Sequence, residues 1–338
     1  RRSSDLTRTI ADYPDLRLVV VIMNSPAWAR TSDSPTAPPT DPESIAAFLT
    51  AFAERYGDAV DVYQIWDEPN LAIAWGERDP RPAEYGALLA TAYTAIKRVD
   101  GDATVMTAAL APTTERGGRN IADILYLQAL YRLGIDAYFD AVAGKPYGFD
   151  TAPDDRRVRL DVLNFSRLIA LREVMVEHGD SRKALWASHW GWNSLPPDWQ
   201  GAPSIWGQVS ASAQINHTLN ALDRAEREWA WLGGMILHHW QPDRPRDDPQ
   251  WGFALIGPDD TPTALYEALA ARPASTSASN GLYHPLTPHA QYHGVWQFSP
   301  LGADIGWLET SDSRLQFEFM GRDIALLLRE GDYFAFLY

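Results

Sequence analysis

Residues able to do chemistry fall in a few short stretches. IWDEPN (65–70) puts adjacent carboxylates, Asp67 and Glu68, just past an apolar run, where a carboxyl group can give or take a proton. KPYGF (145–149) brings Lys145 and Tyr147, and ALWASHWGW (184–192) brings Ser188, His189 and Trp192. HHWQPDRPRDDPQ (238–250) adds His238, His239, Trp240, Asp243, Asp247 and Asp248. Neutral imidazoles with one carboxylate suit zinc-like ions, so His189, His238 and His239 with Asp67 or Glu68 are one candidate ligand set. Against it, adjacent His238 and His239 would face opposite sides of a strand. Trp28, Trp75, Trp190, Trp192, Trp199, Trp206, Trp240 and Trp251 follow strand-like runs and offer flat faces for packing or for stacking sugar rings. Trp66 and Trp186 lie inside such runs and read as core.

Groups so far apart in sequence need a scaffold that gathers them. RLVVVIM (17–23) reads as a strand buried on both faces. Asp41 as N-cap and Pro42 open a helix with Ile45, Phe48, Leu49, Phe52 and Tyr56 on one stripe, and Gly57 closes it. The alternation continues with strands over 61–66, 104–110, 139–145, 184–190 and 234–240. Helices over 83–99, 120–133, 158–178, 208–228 and 263–270 follow them. Six strand–helix units predict a parallel sheet with helices outside. No glycine-rich phosphate turn follows any strand, and the reactive residues sit at several strand C-termini, which favours a (β/α)8 TIM barrel over a doubly wound sheet. Its first two strands are then expected to be absent from this chain, because residues before 17 read as helix.

The stretch after Ala271 is rich in Pro, Ser and Thr and reads as a linker over 272–290. From Gln291 the runs GVWQFS, RLQFEFM, DIALLLRE and YFAFLY predict the start of a β-sandwich over 291–338, with residues 1–271 forming the barrel. The last run ends at Tyr338 as an apolar strand, so the natural protein is expected to run on.

With 29 Lys+Arg against 44 Asp+Glu, the net charge of −15 would repel nucleic-acid phosphates, so that class of partner is excluded. No apolar run approaches the roughly 18 residues of a membrane span. The absence of cysteine removes disulfides, thiolate metal sites and thiol nucleophiles. RRSSDLTRTIADYPD lacks the apolar stretch of a signal peptide, so any export signal is expected upstream.

IWDEPN resembles the Trp-Asn-Glu-Pro motif that closes the fourth strand in the large clan of (β/α)8 glycoside hydrolases, cellulase- and xylosidase-like. SPAWA stands where the family has it after strand three. KPYGF takes the place of HPYGF, and LWASHWGW that of a TEFGW-like sequence. A Trp-bearing strand eight ends HHWQPD, and the likeness extends over most of residues 10–271. The resemblance implies that Glu68 holds the general acid/base position and that a second Glu, on strand seven, should be the nucleophile. His189 stands there instead, with Ser188 at the preceding Thr. Asp67 replaces a sugar-binding Asn, and Lys145 replaces the His of HPYG. Trp240 resembles the Trp beneath the reacting sugar, or His238 takes that place if the register shifts by two.

Retaining hydrolysis needs two carboxyl groups about 5–5.5 Å apart, and imidazole cannot form the acetal-ester intermediate. A cation within about 4–6 Å of a carboxyl group also favours its ionised form, the wrong direction for a proton donor. The expectation is therefore a glycoside-hydrolase-like pseudoenzyme without cofactor or metal, having no second carboxylate at nucleophile distance from Glu68. It would bind a glycan or polysaccharide through Asp67, Trp28, Lys145, Tyr147, Trp192 and Trp240, or serve beside other protein subunits as a structural module of an extracytoplasmic assembly. The alternative is an active glycosidase with Glu68 as general acid. Asp243, Asp247 or Asp248 would then be the base at the roughly 6.5–9.5 Å of inverting enzymes.

Overall fold

In a computed structural model, the structure describes residues 4–13, 16, 18–272, 278, 283, 287, 289–299, 302–305, 313–319 and 324–326. By its internal contacts the chain divides into Arg1–Arg224 with Leu232–Arg272, and Ala225–Trp231 with Pro273–Tyr338.

In the first unit, helix α1 (Ser4–Asp12) precedes β1 (Leu18–Ile22), whose β-branched run suits a strand. Helix α2 (Pro42–Tyr56) starts where the sequence says, with Asp41 accepting the Glu43 N–H at 3.0 Å. Its buried stripe is Ile45, Leu49, Ala53 and Tyr56, while Phe48 is exposed. Then come β2 (Val60–Ile65), α3 (Pro82–Val99), β3 (Thr104–Met106), and a hairpin of β4 (Arg116–Gly117) and β5 (Asn120–Ile121). They are followed by α4 (Asp123–Arg132), β6 (Ala141–Gly144), α5 (Arg167–Glu177), β7 (Ala184–Trp190), α6 (Ala211–Glu228, grouped with this unit as far as Arg224), β8 (Leu232–Leu237) and α7 (Ala264–Ala270).

Strands β1, β2, β3, β6, β7 and β8 pair in that order, all parallel. The Ser188 hydroxyl on β7 donates to Gln64 Oε1 on β2, three strands away. On a flat sheet those strands would stand about 14 Å apart. The sheet must therefore curl, and it forms six of the strands of a (β/α)8 barrel. Its inner face carries Val62, Met106, Ala109, Ala141 and Ala143, with Val19 and Trp186 packed against them. Small inner residues leave room for the Trp186 indole. Gly233 and Gly234 on β8 are needed for the same reason, since a Cβ at either would come within 2.2 Å and 2.5 Å of that ring.

Several element ends differ from the sequence expectation. The helix expected from Val158 begins at Arg167, because the carbonyls of Arg159, Leu160 and Val162 are taken by the Arg167 guanidinium. The strand expected to Leu110 ends at Met106, because the Tyr85 hydroxyl and Asn70 amide engage Ala108 and Ala111. The helix expected from Asn120 starts at Asp123, the hairpin having taken 120–121. The eighth strand ends at Leu237, before the two histidines.

In the second unit, β9 (Ala290–His293) pairs antiparallel with β12 (Arg314–Phe317), and β10 (Trp296–Ser299) with β11 (Gly302–Ile305). These are separate two-stranded sheets, and the described residues do not establish the expected sandwich. YFAFLY lies outside the described residues. Among the described residues no helix is long and apolar enough to cross a membrane.

Candidate functional site

At the end of β2 the backbone leaves strand geometry. Trp66 (φ 73°) and Glu68 (φ 51°) are left-handed, a conformation that costs about 1–3 kcal/mol per residue unless the surroundings fix it. They are fixed: the Trp66 N–H donates to Ile22 O at 2.7 Å and the Glu68 N–H to Ala109 O at 3.0 Å. Asn70, fully buried, clips the next turn by donating to Ala111 O and Ile121 O and accepting from the Ala111 N–H. In a regular strand the side chains of Asp67 and Glu68 would diverge. Here both reach one atom.

That atom is Lys145 Nζ, which donates to Asp67 Oδ2 and to Glu68 Oε1, each at 2.8 Å. Lys145 follows β6, and its side chain, 4% exposed, continues the alternation of Ala141 and Ala143 on the inner face. Burial alone would pull the ammonium pKa down. The charges of Asp67 and Glu68 outweigh it and hold Lys145 above its ordinary value, so it stays protonated. Gln64 donates to Asp67 Oδ1 at 3.4 Å and to Trp66 O at 3.1 Å, tying Asp67 to Ser188 across the barrel. Tyr147 is buried, and burial keeps its phenol neutral.

The expectation that no second carboxyl group lies near Glu68 does not hold. Asp67 Oδ2 and Glu68 Oε1 share one nitrogen, so they lie within twice 2.8 Å of each other. Asp67 still does not serve as a nucleophile opposite Glu68. A retaining pair encloses the anomeric carbon, whereas these two acids leave the same strand end and enclose an ammonium.

His189 lies near the end of β7, its Nδ1 buried without a hydrogen-bond partner among the described residues. His238 and His239 follow β8, joined by a cis peptide. They do not diverge as strand neighbours would, and their rings lie 4.7 Å apart. The His238 ring is 5.1 Å from His189, 5.1 Å from Phe253 and 5.9 Å from Tyr147. Burial, then the Lys145 charge, lowers the His189 pKa to about 3; burial and the neighbouring imidazoles lower His238 to about 2. Both are neutral at physiological pH. Among the described residues no group of three or more His, Asp or Glu side chains is placed to hold a metal ion.

The expected platforms divide sharply. Trp28 is 78% exposed and Trp240 60% exposed, at the loops after β1 and β8. Trp192 is 1% exposed, packed on Phe165 with its N–H on Thr151 O, and a Cβ on Gly148 would run into its ring. It is a core side chain, as are Trp75 and Trp190. Of the three candidate bases, Asp248 caps the turn Pro249–Phe253 through the Gln250 N–H, and Asp243 and Asp247 are exposed loop residues. Sequence reasoning missed Gln64, Asn70 and Phe253. Gln64 had a readable signal, a polar side chain at the period-two position that Val60 and Val62 make apolar.

No family model and no curated protein matches the sequence. Solved structures do. A family 39 glycoside hydrolase from Bacteroides cellulosilyticus WH2 is 17% identical, with a TM-score of 0.61 over 95% of this chain and 59% of its own. A glucosidase from Croceicoccus marinus is 15% identical, with a TM-score of 0.56 over 79% of this chain and 52% of its own. A monomeric beta-xylosidase from Caulobacter crescentus CB15 is 20% identical, with a TM-score of 0.52 over 75% of this chain and 52% of its own. The chain thus spans a little over half the length of each of these. At such identities the likeness speaks for the fold alone, a (β/α)8-type barrel that this chain shares with these glycoside hydrolases.

Proposed function

We propose that this barrel binds a glycan and does not hydrolyse it. The observation that carries the reading is Lys145 Nζ lodged between Asp67 and Glu68. A general acid must carry a proton to the leaving oxygen, and here an ammonium occupies Glu68 Oε1. His189 stands where the clan's resemblance calls for a carboxylate, and a neutral imidazole supplies no acyl-type intermediate. What remains suits recognition: one exposed indole face after β1, another after β8, and polar groups between those loops in sheet order. The similar solved proteins include a glucosidase and a beta-xylosidase, which favours gluco- and xylo-configured chains as first ligands to try. Long glycans are met outside the cytoplasm, so the proposed setting is an extracytoplasmic assembly.

Titration calorimetry with xylo- and gluco-oligosaccharides tests this. Binding that weakens tenfold or more in Trp28→Ala or Trp240→Ala, without release of phenol from aryl β-glycosides, is expected. Turnover that disappears in Glu68→Gln would instead establish the active glycosidase with Glu68 as acid. Absence of both binding and turnover would leave only a structural module.

A further inference from the structure

We infer that this site selects uncharged glycans over acidic ones, and that Glu68 is the residue that sets the selection. The inference rests on the glycan-binding reading and adds the chemical class of the sugar. Three charged groups meet at the strand ends: Asp67, Glu68 and Lys145. The ammonium is spent on both carboxylates, which leaves the cluster with one net negative charge. Both oxygens of Asp67 are engaged, by Lys145 and Gln64. Glu68 Oε2 accepts no hydrogen bond among the described residues, and the Glu68 side chain is 29% exposed.

An acceptor of that kind suits a sugar hydroxyl, which can donate, and repels the carboxylate of a uronic acid, which cannot. The groups beside it do not offset the charge. His189 and His238 are uncharged. Tyr147 is a neutral phenol. In the loop after β8, Arg246 pairs with Asp259 at 3.0 Å, and the cation whose charge reaches His239 is Arg244. It is exposed and shares its loop with Asp243, Asp247 and Asp248, so salt screens it more than the buried cluster.

Calorimetry on the intact chain at pH 7 can compare a neutral xylo-oligosaccharide with the same oligosaccharide carrying one glucuronic acid. The neutral ligand is expected to bind roughly tenfold tighter or better, as repulsion between unit charges a few ångströms apart predicts. In Glu68→Gln the cluster becomes neutral while its amide oxygen still accepts, and the gap should shrink to about threefold or less, with urea curves confirming the fold. Arg244→Ala should leave the gap in place. Equal or tighter binding of the acidic sugar by the wild type overturns the inference while leaving glycan binding intact. A gap that Glu68→Gln does not narrow overturns the role of Glu68. Failure to bind either sugar overturns the glycan-binding reading and this inference with it.

Discussion

Arg167 and Asp123, joining α5 to α4, and Lys145 with Asp67 and Glu68, at the ends of β6 and β2, are two ionic clusters in one unit. In the first, Arg167 meets Asp123 at 2.6 Å with both side chains 2% exposed. Its remaining N–H groups go to the carbonyls of Arg159, Leu160, Val162 and Thr113 at 2.9–3.0 Å. A guanidinium offers five donors, and here every nitrogen is engaged. In the second, one Glu68 carboxylate oxygen and the buried His189 Nδ1 have no hydrogen-bond partner among the described residues. The saturated cluster reads as a strut, and the cluster that keeps a partly exposed carboxylate is the one we propose as the ligand side.

The contrast can be broken most violently at the strut. Arg167→Met leaves a buried carboxylate without its counter-charge and takes the guanidinium donors from the carbonyls of Leu160, Val162 and Thr113, and should lower unfolding free energy by about 3–5 kcal/mol in urea titrations. Arg167→Met with Asp123→Leu should recover part of that loss, since a buried pair replaced by apolar groups is often close to neutral. Lys145→Met should cost less, about 2–3 kcal/mol, because Asp67 and Glu68 retain partial access to water. Equal losses in the two would mean that both clusters are struts.

Acid sharpens the same contrast. His189 and His238 bind fewer protons folded than unfolded between their folded values, about 3 and about 2, and the ordinary 6.5. Stability is then fully present above about pH 6.5 and falls as pH drops, by up to about 1.4 kcal/mol per pH unit for each imidazole. Urea midpoints between pH 7 and 4 should show this slope, and His238→Phe should flatten it. The smallest effect is expected at the rim. Trp28→Ala and Trp240→Ala should change stability by no more than about 0.5 kcal/mol, since both indoles are exposed.

Much of this architecture was legible in the sequence. The β-branched run at Leu18–Ile22, the Asp41–Pro42 helix start and the six-fold alternation carry local signals that tertiary contacts do not override. The late start of α5 was not legible, because it depends on where one guanidinium sends its hydrogen bonds. At the site, residue types showed that acids and bases would meet, but not that one ammonium would hold both acids. That depends on left-handed Trp66 and Glu68, for which no glycine gave warning. Trp192 misled for a related reason. A tryptophan after a strand can face the mouth or fold back on a glycine, and only the approach to Gly148 decides.

The central claim is that Lys145 disarms the carboxylates it joins. It is tested most directly by aryl β-glycoside release from wild type and Glu68→Gln, side by side, across pH 4 to 8. No release above the uncatalysed rate in either protein is the expected result. Wild-type turnover that Glu68→Gln abolishes would contradict it.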